Sequence, residues 1–258
     1  MIKLENDSCP YCRSQNAQFV KTVYGCNLFY CNDCTIQFFS PRIFDSQIYE
    51  GEKISGMYAD YHKSRIKPSM WLLEMIKVFK KQNIDVKNKF VLEIGAGDAL
   101  NFEFLRKEFG VNPNKYEILE LDSKSVQSAK NRGIITAYSQ FFDTSFAQLY
   151  KEKYDMLIIT EVIEHQDDLK TFLENAFTIL KPNSIIFIST PNRERVFLSI
   201  GEKTDIPPHH FLRYNLNFFI KNFADKLMYK GYYYFNHSNI IDYSKAVSKS
   251  KFSNELFW

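Results

Sequence analysis

Four cysteines near the start of the chain have the type and spacing of metal ligands. They form two Cys-x-x-Cys pairs, Cys9 with Cys12 and Cys31 with Cys34. Zinc in structural sites prefers four thiolates in a tetrahedron, and each pair can supply two of them from one tight turn. A disulfide is disfavoured in a reducing compartment, and a redox site would need only one such pair. The spacing therefore predicts structural Zn²⁺.

A second candidate site lies at a glycine-rich turn. Residues 90–94 are an apolar run typical of a buried strand, and Gly95 and Gly97 follow it. Glycines let the backbone turn tightly against a ligand, and the next helix presents free N–H groups. The next apolar run, residues 116–122, contains Glu120, which could accept hydrogen bonds from a ribose. The pattern predicts a site for a nucleotide-type cofactor.

Two further apolar runs, residues 154–165 and 184–192, complete an ordered set of motifs. Glu93-Ile94-Gly95-Ala96-Gly97, Glu120 and the segments 160–165, 180–183 and 189–192 resemble the class I S-adenosylmethionine-dependent methyltransferase family over roughly residues 89–235. Ala99 stands where the family often has a third glycine. The resemblance implies a Rossmann-like α/β fold, with a mostly parallel twisted sheet and helices on both faces, and S-adenosylmethionine as the cofactor.

A nicotinamide or flavin dinucleotide is the alternative cofactor, because Gly-x-Gly with a downstream acid describes those sites equally well. Two residues disfavour it. Position 100 is Leu, so the third glycine of the phosphate-binding signature is missing. Glu93, just before the turn, would repel a pyrophosphate but suits the cationic amino-acid part of S-adenosylmethionine.

The expected cofactor contacts divide between backbone and side chains. Gly95 and Gly97 would approach the cofactor through the backbone, and Glu120 would bind the ribose hydroxyls. The remaining expected contacts are Glu93 near the methionine ammonium, Leu121 on the adenine face, Gln140 and Phe141 (with Ser139 and Asp143) near the adenine amine after a strand at 134–138, and Thr160 and Glu161 at the end of the following strand.

His165 is the leading candidate for a catalytic base. Methyl transfer from a sulfonium requires alignment of the reactants and, for a hydroxyl acceptor, removal of a proton. His165 lies just past the end of a strand, where open α/β sheets bind ligands, and matches the family's Glu-His signature. The alternative is a helix-terminal histidine that bonds Asp167 or Asp168. Glu164 could orient the ring or steady the acceptor.

A loop that resembles the family's Pro-Pro-x-His segment supplies the second candidate base, His210. Two prolines stiffen the approach to His209 and His210. This histidine pair could bind a metal, but no third ligand has suitable spacing in the sequence, so the metal interpretation is disfavoured. A helix is expected over residues 216–230, ending at Gly231.

The cysteines and the glycine motif divide the chain into three predicted parts: a zinc-ribbon module at 1–45, a helical linker or lid over the cofactor cleft at 46–88, and the methyltransferase domain at 89–258. Cys26 is expected as a half-buried residue on a strand over 23–30. The lid contains a helix at 70–79 and Tyr58 and Tyr61, which either face the cleft as catalytic residues or simply pack. A zinc module before such a linker resembles a bacterial methyltransferase subgroup, some of whose members act on sugar nucleotides.

Composition narrows the choice of partner. The 33 Lys and Arg residues nearly balance the 30 Asp and Glu residues, so a polyanionic partner such as nucleic acid is not expected. No stretch approaches the ~20 apolar residues of a membrane span, and the opening residues do not resemble a signal peptide, which favours the cytoplasm. The predicted substrate is a small molecule, such as a sugar nucleotide or a precursor of a surface polysaccharide or secondary metabolite. The alternatives are an RNA methyltransferase with a zinc module and a non-catalytic zinc-ribbon protein.

Overall fold

The computed structural model describes residues 8–23, 25–41, 68–194, 206–207 and 209–223. Tyr58 and Tyr61, with most of the predicted lid, lie outside the described residues. The chain divides into two compact units. The first contains residues 1–43, 164–167 and 191–258, and the second contains residues 44–163 and 168–190.

The elements of the described residues follow one another along the chain. The strands are β1 (Ala17–Val23), β2 (Cys26–Cys31), β3 (Gln37–Ser40), β4 (Val91–Ile94), β5 (Tyr116–Glu120), β6 (Thr136–Ser139), β7 (Tyr154–Thr160), β8 (Leu180–Ser189) and β9 (Leu212–Arg213). The α-helices are α1 (Met70–Lys81), α2 (Leu100–Phe109), α3 (Ser123–Asn131), α4 (Thr144–Leu149), α5 (Leu169–Thr178) and α6 (Leu216–Phe223). Short 3₁₀ turns occur at Pro113–Lys115 and Ile163–His165.

The second unit is built on a five-stranded parallel sheet in the order β6-β5-β4-β7-β8. Central parallel strands are buried on both faces and therefore read as continuous apolar runs. β4 is buried along its whole length, and β7 is buried at every position except Asp155. The chain proceeds outward from β4 to β6 and then returns to place β7 beside β4. Ligands of such sheets bind outside the carboxyl ends of the strands at this reversal.

Polar caps fix where several helices of this unit begin. Asp122 accepts hydrogen bonds from backbone N–H groups at the start of α3, and Asp143 and Asp168 do the same for α4 and α5. Ser69 caps α1 in the same way. A cap satisfies N–H groups that have no partner within the helix, so these residues set the helix positions.

The first unit contains a four-stranded antiparallel sheet in the order β1-β2-β3-β9. β9 pairs Arg213 with Gln37 of β3, so residues far along the chain complete the N-terminal hairpins. The expected strand over residues 23–30 is present as β2 but begins later, because Val23 ends β1 and Cys26 begins β2. Gly25 adopts a φ of 82° between β1 and β2, and this left-handed conformation turns the chain into a hairpin.

Helix α6 packs beside the N-terminal cysteine region within the first unit. The rings of Tyr11 and Phe218 meet edge to face at 5.1 Å, and the Asn222 side chain donates a hydrogen bond to the Cys34 carbonyl at 3.0 Å. The described part of this helix ends at Phe223, and the rest of the expected helix lies outside the described residues.

The predicted α/β architecture is confirmed, because the parallel sheet is flanked by helices in the Rossmann-like arrangement. The expected helix at 70–79 is present as α1, and Phe79 on it packs edge to face against Phe187 of β8 at 6.0 Å. Within the described part of the chain, no helix is both long enough and apolar enough to cross a membrane.

Candidate functional site

Gly95 occupies a position that only glycine fits. It follows β4 with a φ of +68°, and its N–H donates a hydrogen bond to the Leu119 carbonyl at 2.8 Å. A Cβ at this position would lie 2.4 Å from Cγ2 of Val162. The turn therefore needs glycine both for its backbone conformation and for its close contact with Val162.

The second glycine of the turn is bonded to the predicted ribose acid. The N–H of Gly97 donates a hydrogen bond to Oε2 of Glu120 at 2.8 Å. Oε1 of Glu120 accepts two more backbone hydrogen bonds, from Leu121 at 2.7 Å and from Asp122 at 3.2 Å. Burial raises the pKa of Glu120, and the three donors act against this rise by favouring the carboxylate. The acid is thereby held against the glycine turn at the end of β5.

Glu93 lies in β4 with its carboxylate fully buried. The Tyr116 hydroxyl donates a hydrogen bond to Oε2 at 2.7 Å, and the Asn101 side-chain amide donates one to Oε1. Burial raises the pKa of Glu93 to about 7 despite both donors. Contact between Glu93 and the methionine ammonium stays a prediction.

Asn101 is a polar residue of this region that the sequence did not indicate. It lies in the first turn of α2, and its amide nitrogen is 3.5 Å from the Thr160 hydroxyl. Its buried side-chain oxygen has no hydrogen-bond partner among the described residues. Buried polar atoms are normally paired, so an acceptor of this kind suits a donor group on a bound molecule.

The remaining predicted cofactor residues lie at the ends of strands in the same unit. Glu161 follows β7 with a φ of 55°, and its Oε1 accepts a hydrogen bond from the Ser189 hydroxyl at 2.9 Å. Leu121 is half-buried after β5. Gln140 and Phe141 follow β6 and are exposed, Phe141 to 41%. An exposed ring beside a strand end offers a stacking surface.

Asp98 and Arg132 form a link that braces the glycine turn. Asp98 is the residue after Gly97 and is nearly buried, and the Arg132 guanidinium donates a hydrogen bond to it at 2.8 Å. Arg132 also bonds Glu103 on α2. This pair could not be recognised from the sequence, because its members are 34 residues apart and the contact depends on how α3 packs.

Three side chains that were predicted to be catalytic lie close together in the first unit. The ligand atoms of Glu164, His165 and His210 lie within 4.8 Å of one another. The two imidazole rings are nearly perpendicular, with centroids 4.7 Å apart. From the sequence, a metal at His209 and His210 was disfavoured for lack of a third ligand with suitable spacing. Folding brings Glu164 and His165 close to His210 across a large sequence separation.

A hydrogen bond determines the tautomer of His165. Its Nδ1 is bonded to the backbone carbonyl of His209. A carbonyl only accepts, so Nδ1 carries the proton and the lone pair of the neutral ring is on Nε2. The sequence had suggested Asp167 or Asp168 as partners. Asp168 caps α5 through the Thr171 N–H at 3.0 Å and its hydroxyl at 2.9 Å.

The four predicted zinc ligands converge in the first unit. The Sγ atoms of Cys9 and Cys34 are 3.5 Å apart, and those of Cys12 and Cys31 are also 3.5 Å apart. A zinc–sulfur bond of about 2.3 Å gives sulfur separations of about 3.8 Å in a tetrahedron, so the arrangement fits the ion. A hydrogen bond from the Cys34 thiol lowers the pKa of Cys9 to about 5.

Cys26 is separate from this cluster, as expected. It begins β2, is partly buried, and packs against an apolar group formed by Val23, Leu28 and Phe39.

In sequence, the chain is similar to known methyltransferases. A family model described as "Methyltransferase domain" matches residues 71–237. The ubiquinone biosynthesis O-methyltransferase of Histophilus somni is 28% identical over 123 residues, which cover 46% of this chain and 51% of that protein. The protein of the same name from Rickettsia conorii is 30% identical over 125 residues, 48% of this chain and 42% of that protein. The chain spans about half the length of the curated relatives it matches.

A solved structure supports the fold. A SAM dependent methyltransferase from Archaeoglobus fulgidus aligns over 78% of this chain and 95% of its own, with a TM-score of 0.51 and 15% sequence identity. At this identity the likeness concerns the fold alone.

Proposed function

The chain belongs to the methyltransferase domain family, and from this premise we propose that it transfers the methyl group of S-adenosylmethionine to a small-molecule acceptor. The observation that carries the proposal is the hydrogen bond between Gly97 and Glu120 at the carboxyl ends of the central strands. It holds a carboxylate against a glycine turn, as a nucleoside with a free ribose requires. Rossmann-like sheets bind ligands at this edge.

The cofactor would use the polar groups of the second unit. Glu120 would accept hydrogen bonds from the ribose hydroxyls, with Leu121 and Phe141 against the adenine. The methionine ammonium would donate to the side-chain oxygen of Asn101, the buried acceptor without a partner among the described residues. S-adenosylmethionine supplies the methyl group and leaves as a neutral thioether.

The acceptor would be a hydroxyl group. Both curated relatives are named O-methyltransferases, which supports an oxygen acceptor. The N-terminal cysteine module resembles that of a methyltransferase subgroup with members that act on sugar nucleotides. This resemblance favours a sugar nucleotide as the molecule that carries the acceptor hydroxyl. A hydroxyl must lose its proton, and His165 is suited to accept it, because its Nδ1–H is fixed and its lone pair is on Nε2. Glu164 would steady the resulting imidazolium.

The four cysteines would hold structural zinc. Four thiolates close the coordination of the ion and leave no position for a substrate. We therefore assign this metal to the stability of the first unit and give it no part in methyl transfer.

Calorimetric titration of the purified chain with S-adenosylmethionine and S-adenosylhomocysteine tests the cofactor. Micromolar binding is expected in the wild type. Glu120→Gln keeps the size of the side chain, but its amide N–H₂ cannot accept, so at least about tenfold weaker binding is expected. Glu174→Gln, on an exposed side chain of α5, is the matched control and should bind like the wild type.

If neither S-adenosylmethionine nor S-adenosylhomocysteine bound, the cofactor assignment would be overturned. If both ligands bind, hydroxyl compounds are screened as acceptors, with sugar nucleotides and phenols first, using labelled methyl transfer as the readout. Transfer to RNA in the same assay, with no transfer to small molecules, would overturn the acceptor class.

A further inference from the structure

We propose that Glu164, His165 and His210 bind a divalent ion of the first transition series, such as Mn²⁺, Fe²⁺ or Zn²⁺. This second metal site is separate from the four cysteines. The proposal rests on the convergence of two imidazoles and one carboxylate within the first unit, whose ligand atoms lie within 4.8 Å of one another.

The distances are compatible with a shared ion. Metal–nitrogen and metal–oxygen bonds of about 2.1 Å put neighbouring ligand atoms about 3.0 to 3.4 Å apart. The observed upper limit of 4.8 Å means that the side chains must close by at most about 1.8 Å around the ion. Rotation of a half-buried imidazole about its side-chain bonds covers this distance without movement of the backbone.

The hydrogen bond of His165 is typical of a metal-bound histidine. Ligating histidines commonly donate the N–H of the other ring nitrogen to a carboxylate or a backbone carbonyl, which fixes the ring and its tautomer. The Nδ1–H of His165 is bonded in this way to the His209 carbonyl. The ligand atom is therefore Nε2.

Backbone hydrogen bonds hold the loop that carries His210. The N–H groups of His209 and His210 both donate to the Ile206 carbonyl at 3.1 Å, and the Phe211 N–H donates to the Glu164 carbonyl at 2.9 Å. The last bond ties the His210 loop directly to the segment of the other two ligands. The three side chains are thus joined by main-chain contacts, and the ion would find them nearly assembled.

The ligand types restrict the ion and its task. Imidazole suits zinc, iron, nickel and copper, while a carboxylate also suits manganese and magnesium. Two histidines with one carboxylate fill three positions and leave others open to water or a substrate, as in catalytic metal sites. The buried carboxylate of Glu164, 1% exposed, supplies a negative charge that helps to hold a cation there.

The role of the site in methyl transfer rests on the proposed function. A hydroxyl oxygen of the acceptor that coordinates the ion has a lowered pKa and loses its proton to solvent. The oxygen lone pair then forms the bond to the methyl carbon, and the carbon–sulfur bond breaks with its electron pair passing to sulfur. With Nε2 of His165 bound to the ion, the ring could not act as the base. In the metal-loaded protein the ion would therefore take over the proton removal that His165 would perform in the metal-free protein.

Manganese binding tests the site independently of activity. The probe is Mn²⁺, because it prefers nitrogen and oxygen ligands to the thiolates of the cysteine site. The loss of the free Mn²⁺ signal in electron paramagnetic resonance is followed as the zinc-loaded full chain is added. One Mn²⁺ per chain is expected, with binding at least about tenfold weaker in His165→Ala, His210→Ala and Glu164→Gln.

His209→Ala is the matched control. It removes a neighbouring imidazole of the same loop but keeps the backbone carbonyl that orients His165, so manganese affinity should stay within twofold of the wild type. Circular dichroism and the thermal midpoint identify any variant that fails to fold. His210→Gln, which keeps a polar side chain in the loop, is the second variant for that case.

No manganese binding in the wild type, or equal binding by folded ligand variants, would overturn the site. S-adenosylmethionine binding is measured on the same samples, so loss of the cofactor assignment and loss of the metal site give different results. Chelation of the second ion should lower methyl transfer at least about 100-fold, with recovery on added Mn²⁺. Full activity after chelation would contradict the catalytic role and leave His165 as the base.

Discussion

The backbone N–H of Gly97 donates a hydrogen bond to the carboxylate of Glu120 across 23 residues of sequence. This bond joins the turn after β4 to the end of β5, two strands that are neighbours in the sheet. Because the carboxylate is already oriented by backbone donors, a ribose would meet an acceptor that needs little rearrangement, which lowers the entropic cost of binding. The predictions below concern the groups around this turn and the metal site of the other unit.

Gly95→Ala should destabilise the protein by at least about 2 kcal/mol and abolish cofactor binding. The substitution combines a left-handed backbone conformation with a contact of 2.4 Å to Val162. Gly25→Ala is the matched control, since Gly25 has a φ of +82° but nothing within 4 Å of its Cβ position. It should cost only about 1 kcal/mol. Urea unfolding measures both, and equal effects would contradict the role of the Val162 contact.

Ala99→Gly is expected to stabilise the protein. Ala99 is buried and precedes α2 with φ and ψ of 59° and 37°, a left-handed conformation that disfavours a side chain. Replacement by glycine removes about 1 kcal/mol of strain, partly offset by greater freedom of the unfolded chain. Ala176→Gly within α5 should instead destabilise by about 1 kcal/mol. Chemical unfolding of both variants checks the opposite signs.

Glu93 should make stability depend on pH between about 4.5 and 7. Burial raises the pKa of Glu93 to about 7 in the folded state, from its ordinary value of 4.5. The folded protein therefore holds the proton more tightly, so this stabilising contribution is complete below pH 4.5 and is lost as pH rises to 7 and above. The loss amounts to about 3 kcal/mol.

Glu93→Gln should remove this dependence and increase stability at pH 8. The glutamine oxygen can accept from the Tyr116 hydroxyl, and rotation of the Asn101 amide would let its unpaired oxygen accept from the new N–H₂ group. Unfolding free energies at pH 5, 7 and 8 for both proteins provide the test. Parallel pH profiles would show that another group is responsible.

Zinc removal should unfold the antiparallel sheet of the first unit. The four cysteines are expected to hold one zinc per chain by mass spectrometry of the metal content, with loss of this ion in Cys12→Ser and Cys31→Ser. A strong chelator or either variant should lower the thermal midpoint by several degrees. Cys26→Ser is the control because Cys26 lies outside the cluster, and it should retain zinc. Zinc bound equally by all three variants would contradict the four-thiolate site.

Local patterns sufficed for much of this architecture. Apolar runs located β4, β5, β7 and β8, since buried parallel strands are continuous in sequence. The spacing of Gly95 and Gly97 from Glu120 identified a turn and an acid that the fold brings into contact. The two Cys-x-x-Cys pairs could also be recognised from their spacing, because each pair is formed by one turn of the chain.

Contacts that depend on tertiary packing were missed. Glu164 and His210 are far apart in sequence, so the carboxylate that completes the proposed metal site was not recognised. Asn101 looks like an ordinary helix residue until its position beside Glu93 is known. β9 comprises only Leu212 and Arg213, too short a strand to produce a periodic pattern.

The hydrogen bond from Asn222 to the Cys34 carbonyl bears on the order of events during synthesis. Its two residues are separated by 188 positions, which a ribosome translates in about 10 to 40 seconds. The cysteines leave the ribosome early, whereas the strand and the helix that complete their unit are made much later. Closing so long a loop is entropically costly, so with zinc as the proposed ligand of the cysteines the nascent hairpins would depend on its early capture to persist until then. Zinc supply during translation would thus set the yield of folded protein, because unprotected thiolates are open to oxidation in that interval.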